Sequence, residues 1–357
     1  DQATGLLTLP LASSAAGESH INPATGIKFR LDGGSIVSDI SATDLDDTFT
    51  HTIEIYVTDT GPTDVLVRVE ACALNHLDIW VRGGLPGVKI PLPHIPGSDI
   101  AGEIAEAGSH VTRVKVGDKI VLCPGVSCGV CPACAKGLDN ECRQYTLLGY
   151  LLEGGYAEFV AAPEVNAFPL PEGLSFEQAA AVPLVFLTAW HMLLGRAALK
   201  AGEDVLVWGA GSGVGSAAIQ IAKLHGARVI ATAGSEAKLA QARELGADET
   251  INHNTEDVVE KVKTFTGKKG VEIVFEHVGE VTWERSLRCL TRAGRLVTCG
   301  ATTGGKAGFD IRKLFSSHWT ILGSYMGTRG ELGDVLKLVG QGRLKPVVDR
   351  VFPLAEA

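Results

Sequence analysis

The sequence predicts an α/β protein with two domains: a doubly wound parallel sheet of six strands and, ahead of it, a compact β-rich domain. The chain has 357 residues, which is enough for two separate hydrophobic cores. From about residue 200, short apolar strands alternate with helices, the pattern of a parallel sheet. Residues 61–170 instead combine short strands with Gly and Pro turns and little helical periodicity, which is typical of a β domain.

The six strands of the parallel sheet follow one another at regular spacing. They are predicted at DVLVWG, RVIAT, ETIN, VEIVFE, RLVTCG and WTILGS, the first at 204–209 and the last at 319–324. The helices between them are GVGSAAIQIAKLHG, SEAKLAQARELG, TEDVVEKVKTFTG and TWERSLRCL. Ser235 is the expected N-cap of the second of these helices, and Gly246 ends it.

Composition and charge exclude two classes of partner. The chain is 45% apolar and 20% charged, with a net charge of −9 and no basic cluster, so nucleic acid is not expected to bind. No apolar run has the length of a membrane span, so no membrane partner is expected either. Residues 1–60 hold nine acidic and two basic residues and form an atypical acidic extension. It is interpreted as a partly disordered segment, or as the end of a calcium-binding repeat, since INPATG and IEIYVTDTG weakly resemble a bacterial cadherin-like repeat.

Four of the eight cysteines lie close together in the sequence. Cys128, Cys131, Cys134 and Cys142 have the spacing C-x2-C-x2-C-x7-C, whereas the remaining cysteines are scattered through strand-like sequence. A reduced protein with one metal-binding lobe fits this distribution better than a disulfide framework does. Four thiolates complete a tetrahedral shell and leave no position for substrate, so such a site is structural. A cytoplasmic location is expected.

A glycine-rich loop follows the first strand of the parallel sheet. In VLVWGAGSGVGSAAIQIAK the residues between strand and helix are Gly209, Gly211, Ser212, Gly213, Val214 and Gly215. Glycines let the backbone turn tightly and approach a pyrophosphate at the helix N-terminus, so the loop predicts a dinucleotide. Ala233 stands where an acidic residue would bind a ribose hydroxyl, and Ser235 and Lys238 lie nearby, which favours NADP(H) over NAD(H). Lys238 alone is equally well read as a solvated helix residue.

These motifs together resemble the medium-chain dehydrogenase/reductase superfamily. The glycine loop, CGVCPACAKGLDNEC, VRVEACALNHLDIWVRGG, GSDIAGEI, GGYAEFV and FLTAWHML carry the resemblance, which is greatest to the quinone-oxidoreductase-like proteins labelled zinc-type alcohol dehydrogenases. It implies a GroES-like catalytic domain at 61–182 with a structural zinc lobe at 123–145. It further implies a Rossmann domain at 183–325, a truncated return to the catalytic domain at 326–357, a small-molecule substrate, and a homodimer or homotetramer.

The resemblance also locates the positions that bind a catalytic zinc in alcohol dehydrogenases. At those positions this sequence has Asn75, Ser98 and Leu184, and none is a credible zinc ligand. Asp99 offers one oxygen, which does not make a site. The sequence therefore predicts chemistry without a catalytic metal, and carbinol oxidation is hard without one.

The predicted function is NADPH-dependent reduction of quinones or conjugated carbonyls. The alternatives are a zinc-dependent alcohol dehydrogenase and, from another class, a catalytically idle dinucleotide-binding protein. By resemblance, Asn75 lies near the nicotinamide, His76 is a candidate proton donor, and Asp78 orients it or the local backbone. Thr188, His277, Cys299 and Gly300 are expected around the cofactor, the last three because they follow strands at the carboxyl edge of the sheet.

Overall fold

The computed structural model describes residues 19–21, 28–32, 35–38, 60–85, 87–90 and 92–356. Most of the acidic extension, and with it the cadherin-like and disordered interpretations, lies outside the described residues. In the part that is described, β1 (Ser19–Ile21), β2 (Lys28–Asp32) and β3 (Ser35–Ser38) pair as an antiparallel sheet in that order.

The next region is an antiparallel sheet, as the sequence predicts. Its strands pair in the order β10-β6-β5-β4-β9, and the short strands β7 and β8 pair beside it. The elements are β4 (Asp64–Ala73), α1 (His76–Gly83), β5 (Asp99–Ala107), β6 (Lys119–Leu122), β7 (Gly125–Val126), α2 (Pro132–Ala135), β8 (Thr146–Leu147), β9 (Phe159–Pro163) and β10 (Ala167–Pro169). Buried side chains of these strands, among them Val65, Val67 and Ile104, pack together as the hydrophobic core of this region.

Two helices lead from this region to the parallel sheet: α3 (Phe176–Ala180) and α4 (Pro183–Trp190). A wider helical turn, His191–Arg196, extends α4. The stretch 176–196 is long and apolar enough to cross a membrane, but more than half of it is buried inside the protein. Phe186, Leu187, Met192 and Leu193 belong to the central core, so these residues pack as the core helix of a globular domain.

The parallel sheet has the six predicted strands in the order β13-β12-β11-β14-β15-β16. Its elements are β11 (Asp204–Val207), α5 (Gly213–Leu224), β12 (Arg228–Ala233), α6 (Glu236–Glu244), β13 (Glu249–Asn252), α7 (Val258–Phe265), β14 (Val271–Glu276), α8 (Glu280–Cys289), β15 (Leu290–Thr298), α9 (Ile311–Ser316), β16 (Thr320–Gly323) and α10 (Arg329–Gly340). The side chains of β11 explain the central place of this strand. Val205 and Val207 are fully buried in one hydrophobic core and Leu206 in the other, so both faces of the strand are covered. The order reverses between β11 and β14, which puts a crevice at their carboxyl ends.

The chain after α10 turns back towards the antiparallel sheet. Residues 347–352 line a cavity of about 520 Å³ together with the end of β4, residues 155–157 and α3.

Candidate active site and metal centre

The glycine-rich loop lies between β11 and α5, as predicted. Gly209 has a φ of +60°, a conformation that favours glycine, and Ser212 caps α5 by accepting a hydrogen bond from Gly215 N at 3.0 Å. A Cβ on Gly211 would come within 2.7 Å of Lys238 Cδ, so the Lys238 side chain lies directly against the loop at Gly211. The first N–H groups of α5, on Gly213 and Val214, have no acceptor within the helix and suit an anionic ligand.

His277 follows β14 at the reversal of strand order. Its Nε2 donates to Trp208 O at 2.8 Å and so ties the end of β14 to the end of β11. Burial lowers the pKa of His277, and the nearby His76 lowers it further, so the imidazole is neutral near pH 7. With Nε2 carrying the proton, Nδ1 is left as an acceptor.

Gly300, Cys299 and Thr188 were also expected around the cofactor. Gly300 lies beside His277, since a Cβ on Gly300 would be 3.1 Å from His277 O. Burial raises the pKa of the neighbouring Cys299 to about 12, so this thiol is not a nucleophile. Thr188 is buried in α4 and donates to Met326 Sδ at 3.7 Å, so its hydroxyl faces the protein interior.

His253 follows β13 at the sheet edge where Ala233 ends β12, near the positive charges of Lys238 and Arg285. His253 lies against Gly234, where a Cβ would be 3.2 Å from its Nε2. Burial lowers the pKa of His253, and the charges of Arg285 and Lys238 lower it further. Ser235 is the N-cap residue of α6, as expected, but accepts no hydrogen bond there through its side chain.

The N-terminus of α1 holds the residues predicted to be catalytic. Asn75 is the N-cap residue and forms a capping box with Asp78, whose Oδ2 accepts from Asn75 N at 2.7 Å. Asp78 also accepts from Gly97 N at 3.2 Å and from the Tyr156 hydroxyl at 2.8 Å. Its carboxylate therefore orients local backbone and Tyr156. His76 is exposed and packs edge-on against the Trp80 ring, with centroids 5.3 Å apart.

Asp99 joins two of the positions at which alcohol dehydrogenases place catalytic zinc ligands. Its Oδ2 accepts from Asn75 Nδ2 at 2.9 Å and its Oδ1 from Leu184 N at 2.7 Å. The third position, Ser98, donates its hydroxyl to Leu148 O at 2.7 Å. Burial is the main cause that raises the pKa of Asp99 to about 7.

The four clustered cysteines converge on one point. The Sγ–Sγ distances are 3.9 Å for Cys128–Cys134, 3.6 Å for Cys131–Cys134 and 3.5 Å for Cys142–Cys128. Zn–S bonds of about 2.3 Å in a tetrahedron require separations of about 3.8 Å, so the set fits a zinc ion. The backbone N–H groups of Val130 and Cys131 lower the pKa of Cys128 to about 6, which favours a thiolate. In the part of the chain that the structure describes, no other group of three metal-ligating side chains comes together.

The cysteine lobe docks on the cofactor-binding half of the chain. Asp139, buried next to the cysteines, accepts from Arg329 N at 3.1 Å and pairs with its guanidinium at 3.4 Å. Asn140 Nδ2 lies 3.2 Å from His191 Nε2, and His191 Nδ1 lies 2.9 Å from Glu331 Oε2. A metal in this lobe therefore supports the contact between the lobe and α10.

Comparison with known families gives a match for each half of the chain. Residues 61–172 match the alcohol dehydrogenase GroES-like domain, and residues 213–341 match the zinc-binding dehydrogenase family. The quinone oxidoreductase of Rattus norvegicus is 33% identical over 299 residues, which cover 82% of each chain. The chain belongs to the medium-chain dehydrogenase/reductase superfamily.

Solved structures of other superfamily members share this architecture. A crystal structure of an NAD-dependent alcohol dehydrogenase is 47% identical, has a TM-score of 0.82, and covers 85% of this chain and 88% of its own. A 2-octenoyl-CoA carboxylase reductase, solved with NADP and 2-octenoyl-CoA, is 31% identical with a TM-score of 0.76, over 84% and 75% of the two chains. The chain is thus an NAD(P)-dependent oxidoreductase of the medium-chain superfamily, with the predicted mixed α/β fold.

Sequence reasoning missed several residues of this medium-chain site. His253 follows β13 at the same sheet edge as the predicted residues, and that position was a usable signal. Asp99 was weighed from the sequence only as a single metal ligand, although an acidic residue at the start of an otherwise apolar strand also signals a buried carboxylate with dedicated donors. Tyr156 and Arg285 carry no comparable signal, because their contacts come from distant segments.

Proposed function

We propose that the protein is an NADPH-dependent reductase of quinones or conjugated carbonyls that transfers hydride without a catalytic metal. The observation that carries the proposal is the bonding around Asp99. The side chain of Asn75 and the backbone of Leu184 are engaged by this carboxylate, and Ser98 by Leu148 O, so the three positions present no open set of ligands. A quinone or enone is already electron-poor and needs no Lewis acid to accept hydride.

The preference for NADPH follows from the charges beside Ala233. A 2′-phosphate carries about −1.5 to −2 charges at pH 7, and the positive charges of Lys238 and Arg285 make this edge favourable for an anion. The missing carboxylate at Ala233 removes both the partner of a ribose hydroxyl and a repulsive charge. The residues that would hold the dinucleotide are those of the glycine loop, with Ser235, Lys238, His277, Cys299 and Gly300 along the edge.

The chain's own residues have limited chemical tasks in this reaction. The bound dinucleotide supplies the hydride. Asn75, at the start of α1, positions the nicotinamide, and Thr188, buried in α4, supports the wall of the cleft through its packing. His76 is exposed at the start of α1 and close enough to His277 to affect its pKa, so it is placed to deliver a proton from solvent. Asp78 fixes the backbone from which both Asn75 and His76 extend.

The proposal includes the zinc, the assembly and the boundaries of the domains. Cys128, Cys131, Cys134 and Cys142 hold one structural zinc, and the protein is a cytoplasmic homodimer or homotetramer. The catalytic domain comprises 61–182 with its lobe at 123–145, the Rossmann domain comprises 183–325, and 326–357 returns towards the catalytic domain.

A zinc-dependent alcohol dehydrogenase is the second candidate. The structure that is 47% identical bears the name NAD-dependent alcohol dehydrogenase, and this likeness favours alcohol chemistry. The two candidates differ in metal content, since alcohol oxidation through a metal would require a second zinc beside the structural one.

The test is a substrate panel on folded protein that binds NADPH. We expect NADPH oxidation with quinones or enones and negligible oxidation of primary alcohols with NADP or NAD. Activity with ethanol that is lost on chelation, while quinones are inert, would replace the first candidate with the second. Absence of turnover with either class, despite tight NADPH binding, would leave a catalytically idle dinucleotide-binding protein.

A further inference from the structure

Asp99 is a buried carboxylate that the proposed chemistry does not use directly. Its residue is 1% exposed at the start of β5, and each oxygen accepts a hydrogen bond from a different part of the chain. Oδ2 accepts from the Asn75 side chain at 2.9 Å, and Oδ1 accepts from the Leu184 backbone at 2.7 Å. Both partners are donors, so the geometry suits the ionised form, which has only acceptors.

These two bonds connect the starts of α1 and α4 through one carboxylate. Asn75 is the N-cap residue of α1, and Leu184 is the second residue of α4. Thr188 lies one turn further along α4. The Asn75 side chain thus presents Nδ2 to Asp99, while its backbone N–H donates to Asp78 Oδ2 and its backbone carbonyl accepts from Asp78 N.

We propose that Asp99 is a positioning residue that acts through Asn75, fixing the orientation of its amide and the spacing of α1 and α4. The inference rests on the proposed function and adds the residue that aligns the site. The Asp99 carboxylate bonds to two positions that a zinc ion joins in alcohol dehydrogenases. Small displacements of a hydride donor from its acceptor slow hydride transfer strongly. Loss of Asp99 should therefore lower kcat more than it changes KM or NADPH affinity.

The ionisation of Asp99 should then control the orientation of Asn75. The titratable groups around it are Asp78 on α1, Cys72 on β4, Tyr156 ahead of β9 and Cys123 after β6. Burial raises the pKa of Asp99 to about 7, with Asp78 raising it further and the bonds from Asn75 and Leu184 opposing them. A proton on Oδ2 needs an acceptor, and Asn75 can supply one only by rotating its amide so that Oδ1 replaces Nδ2 opposite Asp99.

The test compares pH profiles of turnover for matched variants. For the wild type, kcat should rise about tenfold per pH unit up to an apparent pKa near 7 and then level off. Asp99→Asn should lose this limb and lower kcat on the order of 10- to 100-fold at pH 8, with KM and NADPH affinity within about threefold. Asn75→Ala keeps the carboxylate but removes the amide through which it acts, so kcat of this variant should be low and should lose the rise with pH.

The matched control is Asp248→Asn, at a residue that directly precedes β13 and lies against the amino end of β12. Asp248 accepts from Val229 N at 2.7 Å and from Lys223 Nζ at 2.8 Å, and the bond from Lys223 lowers its pKa even though burial opposes this. This variant should keep the wild-type limb. The inference would be overturned if Asp99→Asn kept the rise of kcat with pH, or if this variant lost kcat and cofactor affinity equally. If Asp99→Asn does not fold, Asn75→Ala decides, because a rise of kcat with an apparent pKa near 7 that persists in this variant would refute action through Asn75.

A second readout separates this inference from the proposed function. If the wild type binds NADPH but reduces no quinone or enone, the proposed function fails. The emission of bound NADPH then tests Asp99 by itself, because rotation of Asn75 changes the surroundings of the nicotinamide. We expect the emission to change with an apparent pKa near 7 in the wild type, and not to change with pH in Asp99→Asn or in Asn75→Ala, which lacks the rotating amide. Emission that is independent of pH in the wild type would refute the positioning role.

Discussion

Replacing Ala233 with aspartate should reverse the preference between the two nicotinamide cofactors. Ala233 is 2% exposed at the carboxyl end of β12, beside Gly234 and His253, with the positive charges of Lys238 and Arg285 nearby. A carboxylate at this position would face the adenosine ribose of a bound dinucleotide. It would accept a hydroxyl of NADH and repel the 2′-phosphate of NADPH.

The size of the effect follows from the charges involved. Two unit charges about 4 Å apart interact by about 1 kcal/mol in water and by about 4 kcal/mol at the dielectric of a protein surface. Because every 1.4 kcal/mol changes a dissociation constant about tenfold, the ratio of NADPH to NADH affinity should change by between about 5-fold and several hundredfold. Lys238 is exposed, so solvent screening favours the lower half of this range.

The assay is a fluorescence titration of both cofactors against three proteins. The wild type should bind NADPH more tightly than NADH, and Ala233→Asp should bind NADH more tightly. Ala233→Asn is the matched control, because it has the same size without the charge and should shift the ratio far less. Tighter binding of NADH by the wild type, or equal shifts in the two variants, would refute the role assigned to the missing carboxylate.

Two further predictions concern the metal lobe and the buried carboxylate. Cys131→Ser should reduce zinc from about one atom per chain to well below one and lower the melting temperature by several degrees, because it removes one of the four zinc ligands. The folded fraction of this variant should keep its NADPH affinity, and full zinc occupancy by mass spectrometry would contradict the assignment. The pKa of Asp99 is about 7 in the folded protein against 3.8 as the reference, so its contribution to stability is complete below pH 4 and is lost as pH rises to about 7. Urea unfolding should therefore show the stability of the wild type relative to Asp99→Asn falling across this window, by at most about 1.4 kcal/mol per pH unit; a constant difference would argue that Asp99 is not protonated there.

The parallel sheet was the most predictable part of the molecule. Each strand is a short apolar run bounded by a helix that ends in glycine or begins with a capping residue, so local sequence and global fold agree. Gly226 and Gly246 close α5 and α6 with φ angles of +78° and +109°, conformations that favour glycine. β15 is the exception: it begins at Leu290, earlier than RLVTCG suggests, because Gly270 and Ala293 allow an irregular pairing with β14.

The cysteine lobe was predictable for a different reason. Four thiols within fifteen residues can reach one ion through local turns, and the spacing of the sulfurs in the fold agrees with that expectation. Its docking through Asp139 onto Arg329 was not predictable, because the two residues are 190 positions apart in the sequence.

The partners of the predicted site residues were the least predictable. Motif matching located Asn75 and Asp78, but it did not show that Asp78 would bind Tyr156 or that Asp99 would hold Asn75. Thr188 illustrates the same limit, since its hydroxyl is directed at Met326, a residue 138 positions away. Hydrogen bonds between distant segments depend on the packing of both domains, which periodicity and spacing do not encode.

Zinc content measured on the same sample as turnover tests metal-free hydride transfer most directly. Mass spectrometry gives zinc per chain, and NADPH oxidation with a quinone gives kcat before and after treatment with a chelator that leaves the cysteine site filled. We predict about one zinc per chain and an unchanged kcat. Two zinc atoms per chain, with ethanol oxidation that disappears as the second is removed, would contradict a site in which Asp99, rather than a metal, joins Asn75 to Leu184.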